Sequence, residues 1–351
     1  MSEFTRRGFL SSAAAGGLMA PLAAPLGAPA FLRLRSPVAI SSFNGLKSVE
    51  IAWQKMTEGW RPVDAAVAGV SVSEDDPEED GVGIGGLPNE DGVVELDASV
   101  MDGPSGLGGA VGALQNIQNP AQVALKVMRH TDHVLLVGEG ALRFARAHGF
   151  PEVNLLTEAA RRKWLEWKEK RSAIDDWITP DENGEHGKEW FDKYKHKTGT
   201  IHLGAVGANG DVGSCTTTSG LAFKLAGRLG DSPILGCGNY CDNDVGTGGG
   251  TGRGEASILI NSASFLVQQM GLGKSPTDAC LAAVQRVDRL TKIKRLRDAK
   301  GRLNFQIQFY ATNTKGEFGS ASTYADQFSV CDEKGPRRVD MASLYGEPPP
   351  K

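Results

Sequence analysis

The fold is decided by the hairpin sequence Thr200-Ile201-His202-Leu203-Gly204-Ala205-Val206, Asn209-Gly210-Asp211 and Val212-Gly213-Ser214-Cys215-Thr216-Thr217-Thr218. An Asn-Gly turn between two alternating runs is a strong β-hairpin signal. Thr216 and Thr218 share one face of the second strand, because side chains alternate along a strand. We therefore predict antiparallel strands here, with hydroxyl groups on one face.

Strands and helices are predicted on both sides of the hairpin. The periodicity predicts strands at 38–42, 92–98, 304–312 and 317–323, and helices at 46–58, from Pro62 onward, and at 120–130, 139–148, 155–175, 255–270 and 277–291. The acidic run 74–80 is interpreted as a solvated turn that ends the second helix, and 176–199 as a polar loop. This pattern predicts one domain, a layered α/β fold with largely antiparallel sheets.

Composition limits the classes of function. The chain has 351 residues, of which 40% are hydrophobic and 23% charged, so it can bury a sizeable core. Its net charge of -4 is not the basic balance of a protein that binds phosphate backbones. We expect a globular protein with no nucleic-acid partner.

The N-terminal segment 1–30 is typical of an export signal. It carries the twin-arginine sequence Thr5-Arg6-Arg7-Gly8-Phe9-Leu10, an uncharged apolar stretch and then Ala28-Pro29-Ala30. Prolines and glycines interrupt that stretch well short of the ~20 apolar residues of a spanning helix. We expect removal of 1–30, export by the twin-arginine route to a bacterial periplasm or medium, and no membrane association afterwards.

Other sequence features give no indication of a metal or cofactor. Gly81-x-Gly83-x-x-Gly86 is followed by Leu87-Pro88, so it is interpreted as a turn and not as a nucleotide-binding loop. His130 and His133 lack acidic or cysteine partners at ligand spacing. We interpret the cysteines mainly as small buried hydrophobic residues, although export would also permit disulfides and the sequence assigns no pairs. They are Cys215, Cys237, Cys241, Cys280 and Cys331.

Two blocks carry a specific family resemblance. They are Gly227-Arg228-Leu229-Gly230-Asp231-Ser232-Pro233 and Thr251-Gly252-x-Gly254-Glu255, supported by Leu96-Asp97-Ala98 and Asn119-Pro120. Over about 38–330 the sequence resembles the glycosylasparaginase family of N-terminal-nucleophile hydrolases, and more distantly the plant-type asparaginases and isoaspartyl peptidases. The resemblance implies a four-layer α-β-β-α fold and a precursor that cuts itself between Gly199 and Thr200. The α chain would be 31–199 and the β chain 200–351, together one domain, and we expect a homodimer of such αβ units.

The resemblance also implies the roles of individual residues. Thr200 would supply both the hydroxyl nucleophile and, as a free α-amino group with an ordinary pKa of about 7.7–8.0, the base. Thr218 would orient that hydroxyl. The Thr251 hydroxyl and the Gly252 amide would bind substrate and its developing oxyanion. The remaining substrate contacts would be Arg228 for an α-carboxylate, Asp231 for an α-ammonium, and Phe43, which falls closest to a family tryptophan.

The predicted function is hydrolysis of N4-(β-N-acetylglucosaminyl)-L-asparagine to aspartate and a glycosylamine, without a metal or cofactor. An L-asparaginase or isoaspartyl peptidase of the same fold is the first alternative. Two departures from the family pattern motivate a second, an uncut amino-acid-binding protein. Gly199 stands where the pattern has an aspartate, and His202 stands where it has a glycine. We expect Gly199 to slow processing and His202 to narrow the pocket or change its substrate.

Overall fold

The computed structural model describes residues 36–169 and 199–347, whose strands form two sheets. The strands are β1 Val38–Ser41, β2 Leu96–Asp102, β3 Leu107–Leu114, β4 Leu135–Val137, β5 Ile201–Val206, β6 Val212–Thr218, β7 Asn239–Asp242, β8 Gly246–Gly252, β9 Ile307–Asn313, β10 Phe318–Ser322, β11 Gln327–Asp332, β12 Gly335–Asp340 and β13 Ala342–Ser343. The larger sheet has the order β12-β11-β1-β5-β6-β2-β3-β4, and the smaller has the order β13-β10-β9-β8-β7. Among these strands only β3–β4 and β10–β13 pair in parallel.

Eight α-helices are described. They are α1 Leu46–Thr57, α2 Pro62–Glu74, α3 Pro120–His130, α4 Gly138–Ala147, α5 Glu158–Glu169, α6 Gly254–Ile260, α7 Ser262–Gly271 and α8 Pro276–Leu290. Pro62, Pro120 and Pro276 each occupy the first turn, where the missing N–H costs nothing. Apolar residues of α1 to α4 pack on the larger sheet, and those of α6 to α8 pack on the smaller.

The other faces of the two sheets meet. Val38 and Ile40 of β1 pack with Tyr310 of β9 and with Phe328 and Val330 of β11 in one buried cluster. Side chains alternate along β5, so the strand contributes to both faces of the larger sheet. Its odd-numbered residues belong to the core beneath the helices. Its even-numbered residues face the smaller sheet.

The structure confirms the central hairpin. Residues 201–206 pair antiparallel with 212–217, and Gly210 at the turn has φ +90°. The predicted helices at 46–58, from Pro62, and at 120–130, 139–148 and 277–291 are also present, with ends shifted by one residue or less. Most of the predicted loop 176–199 and the end of the predicted helix 155–175 lie outside the described residues.

Several sequence predictions are wrong in detail. The predicted helix 255–270 is two helices, because Asn261 adopts left-handed backbone with φ +55°. The strand predicted at 92–98 begins at Leu96, since a turn with φ +83° at Gly92 precedes it. Glu74 is not part of a solvated turn but is fully buried at the end of α2. The alternation rule missed β3, β4, β7, β8, β11, β12 and β13.

Other expectations concern thiols, metals and membranes. All five cysteines are buried and unpaired, which confirms their interpretation as small buried hydrophobes. Within 36–169 and 199–347, no three His, Cys, Asp or Glu side chains are grouped as a metal site. No helix in the same ranges is both long and apolar enough to cross a membrane. The segment 1–30 lies outside the described residues.

Candidate active site

Thr200 immediately precedes β5 and is buried. Its Oγ1 donates a hydrogen bond to Thr218 Oγ1 at 3.0 Å, and Thr218 Oγ1 also accepts from the Gly220 amide at 2.9 Å. The Thr200 carbonyl accepts from Ser42 Oγ at 3.3 Å. Backbone and hydroxyl of Thr200 are therefore held from opposite sides, by Ser42 after β1 and by Thr218 at the end of β6.

The residue before Thr200 makes an unusually close backbone contact. A Cβ at Gly81 would lie 2.0 Å from Gly199 Cα, and a Cβ at Gly199 would lie 2.4 Å from Gly81 Cα. Ser219 fixes Gly81, because its amide and hydroxyl donate to the Gly81 carbonyl at 2.7 and 3.0 Å. Neither position accepts a side chain without a backbone shift, so the aspartate of the family pattern does not fit at 199 in this arrangement.

Thr251 lies near the end of β8, on the face toward the larger sheet. A Cβ at Gly204 would meet Thr247 Oγ1 at 2.4 Å, and a Cβ at Gly249 would meet the His202 ring at 2.1 Å. Successive even-numbered residues of β5 thus face successive odd-numbered residues of β8. The next step along both strands brings Thr251 to the Thr200 end of the interface.

Gly252 follows Thr251 with backbone that suits glycine alone. Its φ is +103°, and a Cβ there would lie 2.5 Å from the Gln306 carbonyl oxygen. The strand therefore turns after Thr251, and α6 begins at Gly254. A hydroxyl and a glycine amide in sequence at such a turn can both donate to one oxygen atom.

His202 packs between the two sheets. Its imidazole is fully buried, stacks on Tyr310 with ring centroids 5.9 Å apart, and contacts Thr216 Oγ1 through Nδ1 at 2.8 Å. Burial lowers the pKa of His202 to about 3, so the ring is neutral at pH 7. It fills the space that the missing side chain of Gly249 leaves between the sheets.

Arg228 lies in the loop after β6 and is held by a carboxylate. Its Nε and Nη2 donate to Glu255 Oε1 at 2.9 and 2.8 Å. Burial raises the pKa of Glu255, but the Arg228 charge and hydrogen bonds outweigh that effect and lower it. Arg228 Nη1 lies beside Gly220 and Gly230, where a Cβ would be 3.3 and 3.0 Å from it. The two glycines add no side chain of their own on that side of the guanidinium, where Lys224 is the neighbouring side chain.

Asp231 is three residues further on and is almost fully buried. Burial raises its pKa to about 6, and a Ser257 hydrogen bond and the Arg228 charge limit the rise. Gly254 permits this placement, since a Cβ there would lie 2.9 Å from Asp231 Oδ1. Arg228 pairs with Glu255 and not with Asp231, which excludes a surface ion pair between the two predicted substrate ligands.

Phe43 forms part of the short 3-10 turn Phe43–Gly45 next to Ser42. The residue is 43% exposed, and the Arg338 guanidinium lies over its ring at 3.7 Å from the centroid. Phe43 follows Ser42, whose hydroxyl donates to the Thr200 carbonyl. Its substrate role stays a prediction.

A cluster of buried charged residues, to which the sequence analysis gave no role, lies beneath the loop that follows β6. Lys224 Nζ lies 3.9 Å from Asp97 Oδ2 and donates to the Glu95 carbonyl at 3.2 Å. Burial raises the pKa of Asp97, against the Lys224 charge and the Ala113 amide. Asp97 pairs across the strands with Thr218, so this cluster anchors the strand end that carries the hydroxyl contact.

Glu74 and Tyr310 are two further residues that sequence reasoning missed. Glu74 accepts from Thr217 Oγ1 at 2.7 Å, on the helix-facing side of β6. Tyr310 contacts Thr251 Oγ1 through its hydroxyl at 2.8 Å. Glu74 lay in an acidic run and Tyr310 in an apolar strand, so neither carried a local signal. Only pairing across elements reveals them.

Comparison with known proteins agrees with a site for amide hydrolysis. The sequence model of the asparaginase family matches residues 39–295, and the chain belongs to that family of amidohydrolases. It is 38% identical over 306 residues to an N(4)-(β-N-acetylglucosaminyl)-L-asparaginase of Elizabethkingia miricola, covering 86% of this chain and 83% of the relative. The mouse enzyme of the same name is 32% identical, with 72% and 78% covered. An isoaspartyl peptidase/L-asparaginase of Xenopus laevis is 36% identical, with 68% and 72% covered.

Proposed function

We propose that this protein is a self-processing amidohydrolase that cleaves the side-chain amide of N4-(β-N-acetylglucosaminyl)-L-asparagine through an acyl-enzyme on Thr200. The observation that carries the proposal is the 3.0 Å hydrogen bond between the Thr200 and Thr218 hydroxyls, at the start of a buried strand. A threonine there becomes a nucleophile with its own base once the preceding peptide bond is cut.

The reaction follows from the groups around Thr200. The free α-amino group takes the Oγ1 proton as Oγ1 attacks the side-chain carbonyl carbon. The Thr251 hydroxyl and the Gly252 amide donate to the oxyanion. The carbon–nitrogen bond then breaks, and the leaving nitrogen takes the proton from the ammonium group to give the glycosylamine. Water hydrolyses the Thr200 ester in the same way and releases aspartate.

Two charged groups suit the amino-acid end of such a substrate. Arg228 presents the nitrogen that Glu255 does not hold, and a carboxylate can accept from it. Asp231 is an acid placed close to that guanidinium, and its ionised form can pair with an α-ammonium. These charges suit the α-carboxylate and α-ammonium of an amino-acid substrate, and Phe43 would add a contact at the rim.

The family supports the finer architecture and processing. We infer a four-layer α-β-β-α arrangement from the two sheets that face each other and the helices packed outside each one. We infer cleavage between Gly199 and Thr200 into an α chain of 31–199 and a β chain of 200–351, assembled as a homodimer of αβ units. Export by the twin-arginine route, with loss of 1–30, completes the proposal.

An L-asparaginase or isoaspartyl peptidase is the second candidate. Relatives with that name match over two thirds of the chain at identities near those of the mouse glycosylasparaginase. Gly199 motivates a third, an uncut amino-acid-binding protein.

Turnover separates these candidates. Purified protein is assayed side by side with N4-(β-N-acetylglucosaminyl)-L-asparagine, L-asparagine and a β-aspartyl dipeptide, with Thr200→Ala as the matched inactive variant. The largest kcat/KM on the glycosylated substrate supports the proposal. Preference for either of the others selects the second candidate. Aspartate binding without turnover by wild type supports the third, and activity retained in Thr200→Ala overturns the mechanism.

A further inference from the structure

Three polar atoms form a closed triangle behind the proposed oxyanion donor. Thr251 Oγ1 donates to Gln308 Oε1 at 2.9 Å and lies 2.8 Å from the Tyr310 hydroxyl, which is itself 3.0 Å from Gln308 Oε1. All three residues are at most 2% exposed. Gln308 faces Thr251 directly across β8 and β9, and Tyr310 faces Gly249.

The orientation of the Gln308 amide is fixed by its other end. Gln308 Nε2 donates to Asp326 Oδ2 at 2.6 Å, and a carboxylate accepts only. The oxygen of Gln308 therefore points at the two hydroxyls. The Tyr310 ring is held in turn by His202, which stacks on it in the space left by Gly249.

The triangle has three contacts but only two protons, one on each hydroxyl. When the Thr251 hydroxyl rotates to donate its proton to the oxyanion of the substrate, Gln308 Oε1 loses that hydrogen-bond donor. The Tyr310 proton then satisfies Gln308 Oε1. Without the Tyr310 hydroxyl, the same turn would leave a buried acceptor unpaired, which is costly.

We propose that Tyr310 is a positioning residue that frees the Thr251 hydroxyl to stabilise the oxyanion by taking over its hydrogen bond to Gln308. This inference rests on the proposed function, because it deepens the role of Thr251 there. It also assigns a role to His202, because the imidazole stacks on the Tyr310 ring and so holds the Tyr310 hydroxyl in place.

The test is a double-mutant cycle on the full-length protein, assayed with whichever of the three substrates wild type turns over best. Tyr310→Phe should lower kcat about tenfold and leave KM unchanged, because the oxyanion exists only in the transition state. In a Thr251→Ala background the same substitution should have no further effect, since no proton remains to be freed. Tyr324→Phe is the matched control, because that hydroxyl donates to the Leu303 carbonyl and does not touch Thr251. Its kcat should equal that of wild type.

The outcomes separate this inference from the proposed function. Wild-type rates in Thr251→Ala, or no turnover by wild type, would overturn the proposed role of Thr251 and this inference with it. A strong effect of Thr251→Ala together with wild-type kcat in Tyr310→Phe would overturn the inference alone. So would an equal loss from Tyr310→Phe in both backgrounds, because that result marks a general packing effect. Thermal unfolding of each variant identifies any loss of fold.

Discussion

Glu74 should make the stability of this protein fall as the pH rises through neutrality. Burial raises the pKa of this carboxyl from 4.5 to about 7, although Thr217, Ala121 and Asn119 donate hydrogen bonds to it. The protonated form is thus favoured in the native state. Its contribution is fully present below pH 4.5 and is lost as the pH rises through 7. Each pKa unit corresponds to about 1.4 kcal/mol, so the loss is about 3 kcal/mol.

The assay is equilibrium urea unfolding from pH 4.5 to 8 with and without Glu74→Gln. Both proteins carry Thr200→Ala, so that each is a single chain. Glutamine keeps an oxygen for the Thr217 hydroxyl and the Ala121 amide, which both bond Glu74 Oε1. The free energy of unfolding of the Glu74 protein should drop relative to the glutamine variant by about 3 kcal/mol across this range. Parallel curves, with a relative change below about 1 kcal/mol, would show that the pKa of Glu74 is not raised in the native state. Glu78→Gln at an exposed site should leave the curve unchanged.

Three further predictions concern charge and close contacts. Asp231, whose pKa burial raises to about 6, must ionise to pair with an ammonium, so kcat/KM should rise as the pH rises through 6. The same profile in Asp231→Asn would argue against that pairing. Gly249→Ala puts a Cβ 2.1 Å from the His202 ring and should cost about 1–3 kcal/mol of stability, but much less when it is made in a His202→Gly background, where the ring is absent. An equal cost in both backgrounds would contradict the contact. Gly81→Ala should slow conversion of one chain into two, because its Cβ would meet Gly199 Cα at 2.0 Å; wild-type conversion on denaturing gels would refute this.

The sequence predicted those parts of the fold that have local signals. Alternation and an Asn-Gly turn predicted β5 and β6, and a first-turn proline marked the start of α2. The glycine-rich strand β8 had no apolar alternation, because its small residues make room for His202 and for Phe309. Its identity as a strand depends on pairing with β9, whose residues lie 55 to 67 positions further along the chain than their partners in β8.

The candidate site was predictable only as far as motifs reach. Family motifs singled out Thr200, Arg228, Asp231 and Thr251, and the structure brings Thr200 together with Thr218. Motifs did not reveal that Glu255 holds Arg228, because a salt bridge twenty-seven residues apart leaves no periodic trace. They also gave no sign of Tyr310, whose hydroxyl is polar only at the tip of a ring that packs in the core.

The central claim is that Thr200 becomes a chain terminus. The most direct measurement is the denatured mass of purified protein lacking 1–30, with N-terminal sequencing of each species and Thr200→Ala as the control. We expect two chains, the smaller beginning Thr200-Ile201-His202, and one intact chain for the variant. A single intact wild-type chain after long incubation would show that Thr200 does not become a chain terminus.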